Sequence, residues 1–300
     1  MALGLDDALG DKLTAGVIVS TSLHQSTRWQ SFIGGHPLPN EASLSAARAA
    51  FELLDRANKE QGTLIFLISG GGSAMIEWPI SDDISLDDLR AANQDLVSCG
   101  ARIAEINSVR RGFSAVKGGG LARRAPQAKM FTLIVSDTNP GDEASVASGP
   151  TLSPPADAPS AMEVVEHYHL ETVLPESIMN AVRRTRPSSA STGTHVVLLD
   201  NQTALDAAAQ KARELGFSCT TLNYIREQPI QEGCELLLET MRDAQAPFCT
   251  ISGGEFSCPV RGDGRGSPWF HGHRRCRRSA PSSWVSDGRC RDPGTPSGTR

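Results

Sequence analysis

The chain has 300 residues, enough for one large domain or two ordinary ones. Hydrophobic residues make up 39% and charged residues 21%, and the net charge is −5. Such a composition describes a globular protein and excludes a chain-wide basic footprint for nucleic acid. No apolar run reaches membrane-spanning length, and Met1-Ala2-Leu3-Gly4-Leu5-Asp6-Asp7 lacks the basic and apolar regions of a signal peptide. The seven cysteines, odd in number and without CxxC spacing, point to reduced thiols and a cytoplasmic setting.

In chain order, residues 2–12 read as the end of a helix, and Ala15–Ser20 as a short buried strand. A polar loop with Ser22, His24, Gln25, Ser26 and Thr27 follows. Two glycines and two prolines forbid regular structure in Gly34-Gly35-His36-Pro37-Leu38-Pro39, and Asn40 can cap the next helix, Ala42–Lys59. Leu64-Ile65-Phe66-Leu67-Ile68 is a run of five apolar residues, the pattern of a parallel strand buried on both faces. It enters Ser69-Gly70-Gly71-Gly72-Ser73. Helices are expected over Leu86–Ser98 and from Ile103 toward Lys117, where a second triplet, Gly118-Gly119-Gly120, follows. Met130–Asp137 is a buried strand ending in an acid. Residues 153–159 form a connector. Short helices are expected around 160–169 and 176–184. After a loop at 188–194 the alternation resumes: strand 195–200, helix 201–215, strand 217–222, helix 231–244 and strand 248–252. Strands alternating with helices predict an α/β fold, a doubly wound, mostly parallel sheet with helices on both faces. In such sheets ligands bind at the carboxyl ends of the strands. Ser69, Asp137, Asp200 and Ser252 fall at such ends.

Several residues along this path carry chemistry. Gly70, Gly71 and Gly72 allow close backbone approach, and with Ser69 and Ser73 they can seat a phosphate or carboxylate or form a plain turn. Lys117 beside Gly118 and Gly119 is a second anion candidate, or a solvated lysine before a helix end. Asp137 and Asp142 flank one strand-end loop. They can hold Mg²⁺, which takes one or two carboxylates plus substrate phosphates, or serve the turn itself. His36 can contact a substrate or brace its loop, and Arg110 and Arg111 can be surface charges or anion ligands. No Walker A pattern, G-x-S-x-G elbow or zinc spacing is present.

The order of these segments is more specific than any one of them. Gly35-His36-Pro37-Leu38-Pro39, Ile68-Ser69-Gly70-Gly71-Gly72-Ser73-Ala74, Ile106-Asn107-Ser108-Val109-Arg110 and Val116-Lys117-Gly118-Gly119-Gly120 come first. Ser136-Asp137, Gly141-Asp142, Ala147-Ser148-Gly149-Pro150-Thr151, Asp200-Asn201 and Ser252-Gly253-Gly254-Glu255 follow. From about Leu13 to Gly266 this set resembles the class II glycerate 2-kinase family, whose relatives are sometimes labelled hydroxypyruvate reductases. The resemblance implies a Rossmann-like N-terminal domain and transfer of the ATP γ-phosphate to D-glycerate, with Mg²⁺, giving 2-phosphoglycerate. It assigns Asp137 and Lys117 to catalysis, with Asp137 or Asp142 on the metal. Ser69, Gly70, Gly71, Gly72, Ser73, His36, Arg110, Gly118 and Gly119 are assigned to substrate and phosphate. Asp200, Asn201, Gly253, Gly254 and Glu255 are assigned to the nucleotide. Small-molecule partners are implied, with no nucleic acid and no membrane, and a homodimer is compatible.

Two departures qualify these expectations. The family's Gly-x-Gly-Lys-Ala motif lies upstream of the helix that opens this chain. Gly262-Asp263-Gly264-Arg265-Gly266 is followed by Ser267-Pro268-Trp269 where the family has Gly-Arg-Asn. From Arg265 to Arg300 there are eight arginines, no lysine and two aspartates, so the rest of the chain carries −11. The expected organisation is therefore an incomplete α/β domain over residues 1–264. A disordered, frame-shifted tail over 265–300 replaces most of the second domain, and activity is impaired. The alternatives are a hydroxypyruvate reductase, which lacks support from any G-x-G-x-x-G fingerprint, and a non-catalytic nucleotide- or anion-binding fragment.

Overall fold

The computed structural model describes residues 1–138, 141–185, 193–223, 225, 228–242 and 244–256. The chain divides into two compact units, Met1–Ala204 and Leu205–Arg300. The expected boundary at 264/265 lies outside the described residues.

The first unit opens with helix α1 (Ala2–Leu9), a 3-10 turn at Gly10–Lys12 and strand β1 (Gly16–Ser20). Strand β2 (Trp29–Ile33) runs parallel to β1 and was not foreseen from the sequence. Its five residues, Trp-Gln-Ser-Phe-Ile, sit among serines and threonines and lack a long apolar run. The Asn40 side chain accepts from the Ser43 backbone N–H at 2.9 Å and starts helix α2 (Glu41–Lys59), whose Ala47, Phe51 and Leu54 are buried. Strand β3 (Thr63–Ser69) then leads through the first glycine triplet into the single-turn helix α3 (Gly72–Met75).

Ser85 caps helix α4 (Leu86–Ser98), and helix α5 (Ile103–Phe113) follows. α5 ends four residues before Lys117, earlier than its apolar period suggested, because Ser114 turns extended and bridges to Pro79. The second triplet leads into helix α6 (Gly120–Arg124) and strand β4 (Lys129–Val135). A 3-10 segment (Glu143–Ser148), helices α7 (Ala161–His167) and α8 (Glu176–Arg184) and strand β5 (Thr194–Leu199) complete the unit's secondary structure before helix α9 (Asn201–Glu214).

All strand pairings are parallel, in the order β1-β2 and β3-β4-β5 in this unit. Ile65 faces Phe131 and Ser69 faces Val135 in register, so the ends of β3 and β4 finish level. That alignment sets Gly70 beside Asp137. Two apolar clusters hold the unit. One joins Phe51, Leu54, Leu64, Val116, Leu121 and Met130 between α2, α6 and the sheet. The other lies mostly on helices and includes Leu89, Leu96, Val109, Phe113, Ile178 and Met179. Each fully buried side chain of this size contributes roughly 1.5–3 kcal/mol.

In the second unit, strands β6 (Ser218–Leu222) and β7 (Phe248–Ser252) pair in parallel, with helix α10 (Ile230–Glu239) between them. α10 ends five residues before the expected Ala244. Ile225, Cys234 and Phe256 form this unit's small core.

Candidate active site at the carboxyl ends of the β3 and β4 strands

Two glycine triplets look alike in sequence and differ in structure. In the first, an added Cβ on Gly70 would lie 1.8 Å from Asp137 Oδ2, so only a glycine lets that carboxylate lie across the backbone. Gly71 has φ +79 and approaches the His36 ring, whose Cδ2 and Nε2 would lie 3.9 Å from a Cβ there. Among the described residues, no acceptor takes the backbone N–H of Gly70 or Gly71. Ser69, Gly70, Gly71, His36 and Asp137 are all exposed, and no side-chain hydrogen bond or ion pair engages Asp137 among the described residues. The β3 and β4 ends therefore present two free backbone donors, an imidazole and an uncommitted carboxylate at one mouth.

The second triplet is closed. Gly118 N–H donates to the Ser148 carbonyl at 3.1 Å, Gly119 N–H to the Gly149 carbonyl at 2.7 Å and Gly120 N–H to the Lys117 carbonyl at 3.1 Å. Gly118 and Gly119, expected to bind phosphate, are buried and spend their donors on the turn across from them.

That turn is unusual. Ala147, Ser148 and Gly149 have φ of +51, +61 and +62, three successive left-handed residues of which two carry a Cβ. Left-handed backbone costs an L-residue roughly 1–2 kcal/mol. It persists here because its carbonyls are claimed by Gly118 and Gly119, and because Ser148, fully buried, is held by its side chain. Ser148 Oγ donates to Asn107 Oδ1 at 2.9 Å and lies 2.9 Å from Ser73 Oγ. Ser73 is half-buried at the start of α3, and Asn107 is 1% exposed in α5. The Asn107 amide nitrogen is buried with no partner.

Charge lies behind this chain of hydroxyls. Lys117 and Glu77 form an ion pair with both side chains 1% exposed. The second Glu77 oxygen accepts from the Ser114 hydroxyl and from the Trp78 N–H at 3.0 Å. Burial pushes the Lys117 ammonium below its ordinary value; Glu77 pulls it back and Arg110 pushes it further down. Arg110, 8% exposed, donates through Nε to Asn93 Oδ1 at 2.8 Å, and burial also lowers its value against the pull of Glu77. Among the described residues one buried anion, Glu77, acts on two buried cations, so this buried group carries one positive charge in excess. Arg111 donates to Ser108 Oγ at 2.7 Å and lays its aliphatic stem over Gly118.

Asp142 differs from Asp137. Its Oδ1 accepts from Ser145 Oγ at 2.7 Å, and its carbonyl accepts from Thr138 Oγ1 at 3.1 Å, so it braces the loop. Among the described residues no group of three His, Cys, Asp or Glu side chains could hold a metal ion. The free Asp137 carboxylate still fits a Mg²⁺ ion whose remaining ligands are phosphate oxygens and water.

The remaining expected residues are distributed between the units. Asp200 Oδ1 accepts from the Thr203 N–H at 2.8 Å and from the Thr203 hydroxyl at 2.6 Å, capping α9, of which Asn201 is the first residue. In the second unit, Gly253, Gly254 and Glu255 turn the chain after β7. Gly254 has φ +99, and a Cβ there would meet the Ile225 carbonyl oxygen at 2.0 Å. Glu77, Asn93, Asn107, Ser114 and Ser148 received no role from the sequence. Only Glu77, an acid inside Met-Ile-Glu-Trp-Pro, carried a legible signal, a charge set in an apolar stretch.

The family model for the domain of unknown function DUF4147 matches residues 1–183. The chain is 33% identical over 278 residues to the D-glycerate 2-kinase of Thermotoga maritima, covering 89% of this chain and 65% of that protein. It is 32% identical over 280 residues to a putative hydroxypyruvate reductase of Agrobacterium vitis, covering 89% and 63%. The crystal structure of the Thermotoga maritima glycerate kinase superposes with a TM-score of 0.70 at 31% identity, over 89% of this chain and 66% of that one. The chain thus spans just under two thirds of the length of these relatives. Its match over residues 1–183 and its kinship with these proteins place it in the DUF4147 family, the glycerate 2-kinase family that its motifs resemble.

Proposed function

We propose that the chain carries the glycerate-binding half of an ATP-dependent glycerate 2-kinase. The observation that supports this most directly is the uncommitted Asp137 carboxylate lying across Gly70, beside two backbone N–H groups without acceptors. Phosphoryl transfer asks for positioning and charge neutralisation more than for covalent chemistry. Asp137 accepts the proton of the attacking 2-hydroxyl as its oxygen bonds to the γ-phosphorus and the bond to the β-phosphate oxygen breaks. Mg²⁺, when bound at the Asp137 loop, supplies neutralisation of phosphate charge. Gly70, Gly71, Gly72 and Ser69 donate to anionic oxygens, and His36 closes one side. Arg110 contributes the unbalanced positive charge. Lys117 acts from within its ion pair as a positioning residue. By resemblance, Asp200, Asn201, Gly253, Gly254 and Glu255 serve the nucleotide.

The test is ADP release by the purified chain with ATP, Mg²⁺ and D-glycerate, with ³¹P NMR to identify 2-phosphoglycerate and the Thermotoga maritima protein as the rate standard. Asp137→Asn is expected to lower the rate by roughly 10²–10⁴-fold. Glycerate-independent ADP release, or no binding of D-glycerate, would overturn the reading, and turnover at the rate of the standard would overturn the expected impairment. NADH or NADPH oxidation that depends on hydroxypyruvate would favour the reductase name carried by the Agrobacterium vitis relative instead.

A further inference from the structure

In the second unit Cys219 and Cys249 stand opposite each other on neighbouring strands. They are register partners in the parallel pair of β6 and β7, and their sulfurs lie 3.8 Å apart. Both are free thiols, and both are half-buried, so solvent reaches them. The other two described cysteines are placed differently. Cys99 donates to the Leu96 carbonyl at 3.2 Å in the first unit, and Cys234 is 5% exposed in the small core.

Adjacent strands run about 4.8 Å apart, inside the roughly 4.4–6.8 Å that a disulfide tolerates between Cα atoms. Opposed residues send their side chains to the same face, so their Cβ atoms keep about the strand spacing, against the ~3.8 Å of a relaxed bridge. A bond between the two sulfurs needs side-chain rotation and a small approach of the strands, and it forms under strain. A strained, accessible disulfide is one that other thiols reopen readily. The spacing therefore fits a bridge that forms and is undone, and not a permanent one.

The position of the pair decides what a bridge would change. Among the described residues β6 and β7 pair only with each other, and two strands alone make a marginal sheet. Beyond the cysteines the Gly253 N–H donates to the Leu222 carbonyl at 3.4 Å, and Gly254, at φ +99, packs against the Ile225 carbonyl. The turn after β7 is thus held from β6 and the residues that follow it, and it loosens whenever the two strands part.

We propose that Cys219 and Cys249 are a peroxide-oxidised pair whose reversible disulfide staples β6 to β7 and steadies the Gly253-Gly254-Glu255 turn. The Cys249 thiol is held above its ordinary value, first by burial, so Cys219 meets the peroxide and Cys249 follows. The Cys219 sulfur, as thiolate, attacks a peroxide oxygen. An S–O bond forms, the O–O bond breaks, and the departing hydroxide takes up the proton of that thiol and leaves as water. The Cys249 sulfur then attacks the sulfenic sulfur. The S–S bond forms, the S–O bond breaks, and the hydroxyl leaves as a second water with the Cys249 proton. Two thiols are oxidised and one hydrogen peroxide is reduced to two waters.

The test treats the reduced whole chain with hydrogen peroxide, blocks the remaining thiols and reads the tryptic peptides by mass spectrometry. A peptide pair joined through Cys219 and Cys249 is expected, lighter by two hydrogens and separated again by dithiothreitol. Cys249 and Cys258 share one tryptic peptide, so Cys258→Ser is treated alongside and should form the same bridge. Hydrogen exchange then compares the oxidised and reduced wild-type chain. The amides of β7 and of Gly253 should exchange roughly tenfold more slowly when bridged, and peroxide should leave them unchanged in Cys219→Ser. Thiols that stay free under peroxide, or that join other cysteines instead, would overturn the proposal. So would a bridged chain whose Gly253 amide exchanges as fast as in the reduced one. Both readouts are taken on wild type, so a poorly folding variant does not decide the result. Neither involves glycerate or ATP, so the staple and the kinase reading fail separately.

Discussion

Lys117 is ion-paired with Glu77 inside the protein, both side chains 1% exposed, rather than extended toward a ligand. A buried pair gains little over an apolar pair of the same shape, because desolvation offsets the attraction. Removing one partner is another matter, because the other charge stays behind. Glu77→Gln alone, which leaves Lys117 and Arg110 without their buried anion, should cost about 3–5 kcal/mol. Adding Lys117→Met should restore part of that loss, since one buried cation is removed. Urea unfolding of the two variants measures both. Equal stability of the single and double variants would refute the pairing.

Gly70→Ala places a methyl where Asp137 Oδ2 lies, 1.8 Å from the ideal Cβ position. Asp137 is exposed and can swing away, so the melting temperature should hardly move. The carboxylate would be displaced, and displacement of a reacting group by about 1 Å costs roughly a hundredfold in rate. The variant should therefore melt like wild type and turn over glycerate that much more slowly.

Ala147→Gly relieves a left-handed alanine at φ +51. Stability should rise by about 0.5–1 kcal/mol, the strain released less the added freedom of the unfolded chain. Calorimetric melting reads the gain. A loss would mean that the Ala147 methyl, which lies against Gly72, contributes more by packing than its backbone costs.

Acid should destabilise the chain in a defined window. Asp55 is held below its ordinary value of 3.8 first by hydrogen bonds from Arg124, Asp88 first by the Ser85 backbone N–H and Asp200 first by the Thr203 hydroxyl. Between those depressed values and 3.8 the unfolded chain binds more protons than the folded one, so stability rises with pH. The contribution is complete above 3.8 and disappears as pH falls through the depressed values. Melting temperatures between about pH 6 and about pH 3 should stay level and then drop. Asp88→Asn, which also weakens the cap of α4, should start lower and drop less.

The α/β alternation was legible because the strands are apolar runs bounded by glycine, and because Asn40, Ser85 and Ser160 announce their helices with capping boxes. β2 was not legible, since five residues among serines, three half-buried and two exposed, carry no period long enough to count. The mouth of the site was legible as Ser69–Ser73, His36 and Asp137. Its floor was not. Asn107 and Ser148 stood within recognised motifs, but a buried hydrogen bond between residues 41 positions apart leaves no local pattern. The two glycine triplets were indistinguishable for the same reason: whether an N–H is free depends on the carbonyl opposite, here those of Ser148 and Gly149.

One strand carries a further consequence. β5 pairs with β4 along one side, and Val196, Val197, Leu198 and Leu199 are 39–52% exposed, on both faces of the strand. Aliphatic side chains left this open, beside backbone groups without a ladder partner among the described residues, make a template for another extended chain. The practical outcome is stickiness. Light scattering should rise with protein concentration, and Val197→Lys, which sets a charge on that strand, should suppress it.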